Sequence, residues 1–490
     1  MARSARKDFP VLEKDTAMQN AKHTLTDLSG QPIVEGSWLS RMLQKQFGST
    51  AFSYQKIFSM LLPLIMDSFF VMAIGMLTTA MISSSSQESV SAVSLIGPLN
   101  MMIYAVYNAI SAGGTVIVAQ YKGAGETERM KQAAGQLMIA TPLSAIIGCA
   151  ILTIFSRPIV EFLFQGVEEA VMLKAEQYMI GVAVSSIFLA VYMGGFSVFR
   201  GLGETKLCLK LTILINLLHF VCSYLFINIM HLDIMGSVLA LNIARFIGGA
   251  AAVYLLFSSH SVLRVHLRHV LRLDRKILGD IFHIGIPFGM EQLFMNGGSM
   301  LVQIYVAKLG TANVAANAIG NSVFGLLQAT PAAVATLAVT VIGQCYGAGD
   351  KELSRKYGKS MVLLSGELAL LSILCSLPFL PYILKLYQAP QETVSAIYGA
   401  LAIALTAMPL TWPISYIMPS VMRAAGDARF SSYFSLATMW VVRVFLGYFL
   451  AISLGLGLNG VWLTMVIEWI VRSIVFWIRF RSGVWLKQKA

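Results

Sequence analysis

Twelve apolar runs, separated by short polar breaks, dominate the chain from residue 57 to residue 480. An α-helix needs about 20 predominantly apolar residues to cross the hydrocarbon core of a bilayer, and each run is long enough. Backbone groups cannot remain unpaired in lipid, so only helices and closed barrels cross it, and the length of these runs selects helices. We therefore predict an all-α membrane protein. The predicted spans are 57–80, 91–118, 133–155, 177–198, 207–230, 236–258, 281–307, 314–342, 359–382, 394–420, 431–455 and 458–479.

The composition agrees with this class. The chain is 57% hydrophobic and only 12% charged, whereas soluble domains are roughly 25% charged. The five cysteines are an odd number and mostly lie in or beside apolar runs, which favours apolar packing over a disulfide framework. The first 50 residues hold no apolar core of the kind that marks a cleavable signal, so we expect a cytoplasmic tail.

Lysine and arginine set the expected orientation. The chain has 36 of them and a formal net charge of +12. Most lie in the two tails and in alternate breaks, while the other breaks hold only Arg157, Lys174, Lys308 and Lys385. Such asymmetry places the basic side in the cytoplasm, so both termini are predicted there, in a multi-pass protein of the plasma (inner) membrane. The net positive charge thus reflects the orientation of the chain in the membrane, and we expect no nucleic-acid partner.

Three sequence matches reveal an internal repeat. Pro63 and Asp67 recur as Pro287 and Glu291, each 224 positions later. The segment 120–128 matches 344–352 at the same shift, and Arg200-Gly201-Leu202-Gly203-Glu204 matches Arg423-Ala424-Ala425-Gly426-Asp427 at 223. Each half holds six spans, so both insert with the same polarity. We predict two pseudo-symmetric six-helix bundles related by a two-fold axis along the membrane normal.

The repeat divides the chain into five parts. They are a cytoplasmic N-terminal tail (1–55), an N-lobe of six transmembrane helices (56–258), a basic cytoplasmic linker (259–280), a C-lobe of six transmembrane helices (281–480) and a cytoplasmic tail (481–490).

Asp67 and Glu291 are the main candidate site residues. An acid within a membrane span costs roughly 2.5–3.5 kcal/mol on insertion scales and marks a functional site by default. The alternative is a structural acid paired with a nearby cation or hydroxyl. We predict that the pair serves cation coupling or holds a substrate charge. Pro63 and Pro287, one turn before each acid, are predicted to kink their helices and free a backbone carbonyl nearby.

Polar and aromatic side chains inside other spans suggest a cavity of mixed polarity. Asparagine and glutamine in spans also join helices together, and aromatic residues also form belts at the membrane surface. Helix pairing and a surface belt therefore stay open as alternatives to a cavity lining. The predicted lining is Thr78, Tyr104, Asn108, Gln292, Asn296, Asn317, Asn321, Trp412 and Tyr416.

Three arginines lie within predicted spans. Arg472 follows Glu468 by four residues, so we expect the two to neutralise each other. For Arg245 and Arg443 we favour packing or pairing between helices, with lipid headgroups as a further contact for Arg245.

Enzyme signatures are missing from the sequence. It contains no Gly-x-x-x-x-Gly-Lys-Ser/Thr loop, no His-Glu-x-x-His zinc motif, no Cys-x-x-Cys pair and no Gly-x-Ser-x-Gly elbow. We predict that the protein is not an enzyme and needs no metal and no cofactor.

The two cytoplasmic matches resemble the multidrug and toxic compound extrusion (MATE) family. They are Gln120…Gly123-Ala124-Gly125-Glu126 with Phe199-Arg200-Gly201-Leu202-Gly203-Glu204, and Gly343-Gln344…Gly347-Ala348-Gly349-Asp350 with Met422-Arg423-Ala424-Ala425-Gly426-Asp427. The resemblance covers roughly 55–480. It implies two six-helix lobes around a central cavity, and antiport of amphipathic, cationic, drug-like molecules against H⁺ or Na⁺. We expect a monomer.

One position departs from the family pattern. Many members carry an aspartate in the first span, and this chain has Thr78 there. Asp67 lies eleven residues earlier, and eleven helical steps of about 100° return to within about 20° of the same face. Asp67 is therefore the candidate replacement for the family aspartate.

Two other functions were weighed. A flippase for a lipid-linked saccharide should line its cavity with several Arg or Lys, whereas only Arg245, Arg443 and Arg472 lie within the predicted spans. A membrane receptor or scaffold would need no symmetric buried acids. We therefore favour the exporter.

Overall fold

Helices account for nearly all of the described residues in a computed structural model, which covers residues 25–26, 32–33, 43, 46–47, 52–82, 86–164, 167–258, 263–386 and 390–487. Most of the predicted tail 1–55 therefore lies outside the described residues. Within it, two short strands pair antiparallel, β1 (Leu25–Thr26) and β2 (Pro32–Ile33).

The first half contains six long helices and one short helix. They are α1 (Tyr54–Ile82), α2 (Gln87–Gly123), α3 (Thr127–Ile154), the short α4 (Ser156–Leu163), α5 (Glu169–Leu202), α6 (Thr205–Ser223, continued by a π-helical turn Tyr224–Ile229) and α7 (Asp233–Phe257).

The second half repeats this order after a short linker helix, α8 (Leu267–Leu271). Its helices are α9 (Arg275–Ala307), α10 (Thr311–Gly347), α11 (Lys351–Ser376, then a 3₁₀ turn Leu377–Phe379), the short α12 (Leu380–Leu386), α13 (Gln391–Ala424), α14 (Ala428–Thr438, then π-helical Met439–Leu446 and Phe449–Ser453) and α15 (Gly457–Ser482, then a 3₁₀ turn Val484–Leu486).

All twelve predicted spans coincide with long helices in the described chain. Eleven are long and apolar enough to cross a membrane by length and composition. The remaining long helix is α9, which carries Glu291, Gln292, Asn296 and Gln303. These polar residues lower its hydropathy, and they bring polar groups into the middle of the bundle.

The lobes repeat the same packing. In the N-lobe α5 lies at the centre, against α2, α3 and α7, and in the C-lobe α13 packs in the same way against α10, α11 and α15. The central position of α5 explains its composition, since it is rich in small residues where neighbours approach closely. A Cβ at Gly181 or Gly194 would meet Val238 or Thr141 at less than 3.0 Å.

The two lobes touch most closely where α2 and α10 end. A Cβ atom at Gly123 would overlap the backbone carbonyl of Gln344, and one at Gly347 would overlap that of Gln120. Gln120 Nε2 also donates to the Ala424 carbonyl oxygen at 2.8 Å. Gln344 Nε2 donates to the Gly201 carbonyl oxygen at 3.0 Å. We call this two-fold arrangement the glycine–glutamine latch.

The turns that follow α2 and α10 explain a motif that occurs in both halves of the sequence. Gly125 and Gly349 have φ of +72° and +79°, a left-handed conformation that glycine adopts without steric cost. Each turn ends on an acid, and Asp350 caps α11 by accepting from the Leu353 amide at 2.8 Å. The Gly-Ala-Gly-acid repeat is therefore a tight reversal between helices.

The latch gives a test of the packing. Gly347→Ala should destabilise the protein by about 1–3 kcal/mol, because overpacking a close contact forces backbone shifts. Gly325→Ala is the matched control, since Gly325 lies in the same helix and its added Cβ would meet nothing within 4 Å. Thermal unfolding of the purified protein in detergent measures both. Equal melting temperatures for the two variants would contradict the close contact.

Candidate functional site

A cavity of about 420 Å³ opens inside the N-lobe. Asp67 reaches it from α1, Tyr104 and Asn108 from α2, Arg200 from α5 and Arg245 from α7. Its remaining polar lining is Asn100, Ser111, Tyr178, Tyr192, Thr212, Asn216, His219 and Ser237.

Asp67 is incompletely satisfied in this cavity. Its Oδ1 atom is buried and has no hydrogen-bond partner among the described residues. The Thr212 hydroxyl is a hydrogen-bonding neighbour of the carboxylate, and Arg200 is a nearby positive charge. Arg200 forms no ion pair with any described carboxylate, and its Nε atom is buried without a partner. Its guanidinium lies 4.6 Å from the centre of the Phe196 ring.

A second cavity of about 460 Å³ lies beside the first, in the C-lobe. Asn108 and Arg200 belong to both linings, so the cavities adjoin. Its charged and polar lining from the C-lobe is Glu291, Gln292, Asn296, Ser299, Thr336, Tyr416, Ser420, Arg423, Arg443 and Arg472.

Glu291 is paired, unlike its repeat counterpart Asp67. Arg423 Nη2 lies 3.1 Å from Glu291 Oε2, and both side chains are 8% exposed. The Arg423 guanidinium also lies 3.9 Å from the centre of the Phe288 ring, on the turn before Glu291. The acid and the arginine thus form a buried ion pair in the C-lobe, while the equivalent residues Asp67 and Arg200 form no ion pair in the N-lobe.

Close packing fixes the position of α9, which carries Glu291. In α9, a Cβ at Gly285 would lie 2.8 Å from the Ala109 carbonyl oxygen of α2, and in α2 a Cβ at Gly113 would overlap the Ile281 carbonyl of α9. These close approaches hold α9, and with it Glu291, against the opposite lobe.

Glu468 connects two further arginines. Its carboxylate lies 3.3 Å from Arg472 Nη1, the pair expected from the four-residue spacing, and 2.6 Å from Arg443 Nε. Arg472 also donates to Ser435 Oγ at 2.9 Å. One fully buried carboxylate therefore serves two guanidinium groups, a pairing between helices that agrees with the interpretation of Arg443 from the sequence.

The predicted lining residues other than Thr78 fall into three groups by their position. Tyr104, Asn108, Gln292, Asn296 and Tyr416 line the two main cavities. Asn317 and Asn321 line a third cavity of about 80 Å³, where Asn317 accepts a hydrogen bond from the Trp462 indole at 3.0 Å. Trp412 is 2% exposed and stacks on Tyr416 at 4.7 Å. The side chain of Thr78 lies outside the described residues.

Sequence reasoning missed Arg200 and Arg423 as cavity residues. It counted both in cytoplasmic breaks, whereas α5 continues to Leu202 and α13 to Ala424. Helical side chains point back towards the helix N-terminus, so an arginine in the last turn reaches into the bundle. Their repetition at corresponding positions was the available signal. Arg245 makes the contact between helices that the sequence favoured, donating to Ser185 Oγ of α5 at 2.6 Å, and it also lines the N-lobe cavity.

The described residues were also compared with the ligand sets that metal ions require. Within the described part of the chain, no group of three or more His, Cys, Asp or Glu side chains is placed to hold a metal ion. What the two cavities offer is charge and hydrogen bonding towards a small molecule or a monovalent cation.

Two repeated six-helix lobes with adjoining polar cavities define a membrane transporter of the two-lobe type. The chain belongs to the MatE family, whose pattern matches residues 63–225 and 287–449. The two matched segments begin at Pro63 and Pro287, so they reproduce the repeat found in the sequence.

Relatives agree with this assignment. An uncharacterised transporter, YisQ of Bacillus subtilis, is 25% identical over 91% of this chain and 99% of its own length. A probable multidrug resistance protein, NorM of Thermotoga maritima, is 22% identical over 89% of this chain and 93% of its own length. Among solved structures, a MOP superfamily transporter from Pyrococcus furiosus superposes with a TM-score of 0.79 at 21% identity, covering 89% and 96% of the two chains.

The unequal acids predict opposite effects on stability. Glu291→Gln leaves the Arg423 charge buried without its partner, which should cost about 3–5 kcal/mol. Asp67→Asn removes a charge that has no ion-pair partner among the described residues, so its melting temperature should equal or exceed that of the wild type. Thermal unfolding in detergent compares them. A larger loss of stability in Asp67→Asn would contradict the pairing seen here.

Proposed function

We propose that this transporter exports amphipathic small molecules from the cytoplasm in exchange for entering H⁺ or Na⁺, through alternating access of its two lobes. The observation that carries this proposal is Asp67, a carboxylate in the N-lobe cavity with one oxygen lacking any partner among the described residues. A carboxylate oxygen that is removed from water without a partner is costly, so binding of a proton, a sodium ion or the cationic group of a substrate stabilises Asp67. Because these cations share one acid, they exclude one another, which is the requirement for antiport.

The two repeat acids take different roles in this proposal. Asp67 is the coupling and substrate-charge residue, standing in for the family aspartate that Thr78 replaces. Glu291 holds Arg423 inside the bundle and offsets the charge of that one arginine. The repeat supplies two equivalent positions, and the difference in pairing assigns coupling to one of them.

The proposed orientation places both termini in the cytoplasm of a plasma-membrane protein acting as a monomer. The excess of lysine and arginine in the tails and in alternate breaks supports it. The glycine–glutamine latch then lies on the cytoplasmic side. Its backbone contacts close that end, so the latch must open for a cytoplasmic substrate to enter.

A second function keeps one observation in its favour. Five arginines line the adjoining cavities, namely Arg200, Arg245, Arg423, Arg443 and Arg472, and a flippase for a lipid-linked saccharide needs basic groups there. Three of them are ion-paired to Glu291 or Glu468, which reduces their availability to a large anionic cargo. Transport assays with a fluorescent lipid-linked saccharide and with cationic dyes separate the two functions.

Coupling at Asp67 is tested by efflux. In proteoliposomes with separately imposed proton and sodium gradients, Asp67→Asn should abolish gradient-dependent export of a cationic dye. Glu291→Gln should retain gradient dependence, with a rate reduced in proportion to folded protein. Undiminished gradient-dependent export by Asp67→Asn would contradict the role of Asp67.

Opening of the latch is tested by crosslinking. A Cβ at residue 343 would lie 2.8 Å from the Cβ of Ala119, and cysteines at these positions can form a disulfide after a small separation. In a background without the five native cysteines, Ala119→Cys with Gly343→Cys should lose transport on oxidation and regain it on reduction. Each single variant is the control, and full transport by the oxidised double variant would contradict the alternating movement.

A further inference from the structure

Two opposite charges face the N-lobe cavity without pairing. Asp67 Oδ1 and Arg200 Nε are both buried and lack hydrogen-bond partners among the described residues. Arg245 lines the same cavity and donates to Ser185 Oγ at 2.6 Å, and no described carboxylate forms an ion pair with it. The cavity therefore carries two guanidinium groups that form no ion pair with a described carboxylate, and an acid with one unpartnered oxygen.

We propose that Arg200 and Arg245 form an anion-binding subsite, so that the transported compounds are zwitterionic amphipaths. Their carboxylate lies on the two arginines and their cationic amine on Asp67. This inference rests on the proposed export function and specifies the class of compound that its cavity accepts.

The charges of the cavities support a compound with an anionic group. Five arginines face three carboxylates, Asp67, Glu291 and Glu468, across the adjoining cavities. A purely cationic compound would add a positive charge to a region that already holds an excess. Like charges repel each other more strongly in such a site than in bulk water, because the effective dielectric constant is lower. A carboxylate on the same compound offsets this repulsion, and the planar guanidinium group matches carboxylate geometry.

The requirement for antiport selects zwitterions over simple anions. A compound with only a carboxylate would leave Asp67 free for the coupling cation. Cation binding there would then strengthen anion binding, which produces movement in the same direction. A compound whose amine occupies Asp67 excludes the coupling cation, as exchange requires. The anionic group on Arg200 and Arg245 adds affinity without removing this competition.

The remaining walls suit an amphipathic body. Tyr104, Tyr178, Tyr192 and Phe196 present aromatic surface around the charged groups. The volume of about 420 Å³ falls within the range of roughly 300–1,000 Å³ that small-molecule sites occupy.

One fluorescent scaffold tests the subsite. Nε-dansyl-lysine is a zwitterion, its methyl ester is a cation, and its Nα-acetyl derivative is an anion. Binding to the purified full-length protein in detergent should be strongest for the zwitterion. Arg200→Gln and Arg245→Gln should each weaken zwitterion binding roughly 10-fold or more, the size expected for a lost hydrogen bond to a charged group. Binding of the ester should remain unchanged or improve.

The controls separate this inference from the export function. Arg129→Gln is the matched control, since Arg129 is 60% exposed in a surface pair with Glu126. Unchanged ester affinity shows that each cavity variant is folded. Equal affinities of wild-type protein for zwitterion and ester would overturn the subsite while leaving cation export standing. A fall in affinity for both probes in the arginine variants would also overturn it. Binding of none of the three probes would overturn the proposed function together with the subsite.

Discussion

A charge buried among membrane-spanning helices must be compensated, and the two lobes meet this constraint differently. Removing a carboxylate and a guanidinium from water costs several kcal/mol per ion, and only a close, well-oriented pair offsets this cost. The C-lobe does this with Glu291 and Arg423, 3.1 Å apart, and with Glu468 between Arg443 and Arg472. The N-lobe places the equivalent acid and arginine in one cavity and leaves them apart. We propose that a bound ion or compound completes the compensation of Asp67 and Arg200.

The internal repeat makes this comparison possible. Duplicate lobes supply matched positions, so the C-lobe shows what the same residues do when they pair. Close packing of α9 on α2, through Gly113 and Gly285, fixes Glu291 at the junction of the lobes. The glycine–glutamine latch joins the lobes at one end, and it involves the two sequence motifs that identified the repeat. In the alternating access proposed here, the motifs mark the contact that breaks.

Much of the fold followed from the sequence because hydropathy and helix length are local properties. The twelve helices and the two six-helix lobes were predicted from run lengths and from the shift of 224 residues, and the family match confirms the repeat. Helix ends were less predictable. Arginine, glycine and an acidic residue (Glu204 or Asp427) near residues 200 and 423 indicated polar breaks, while the helices continue to Leu202 and Ala424.

The site was predicted less completely because pairing depends on helix rotation and packing, which periodicity does not determine. Asp67 and Glu291 were recognised as equivalent, but nothing in the sequence distinguished a free acid from a paired one. From the sequence, Arg200 was counted among the cytoplasmic charges that set the orientation in the membrane, although it lines both cavities. Trp412 was expected in the lining and instead supports Tyr416 from a buried position. Asn108 and Gln292 were predicted to line a cavity of mixed polarity, and both border the cavities of the structure.

The central claim is that one acid, Asp67, is shared by the coupling cation and the cationic group of the substrate. Its most direct test is the apparent dissociation constant of dansyl-lysine methyl ester, measured on the purified protein over a range of proton and sodium concentrations. In the wild type, one of the two cations should compete with the ester and raise its apparent dissociation constant. This competition should persist in Glu291→Gln and be absent in Asp67→Asn. The same competition in Asp67→Asn would contradict it.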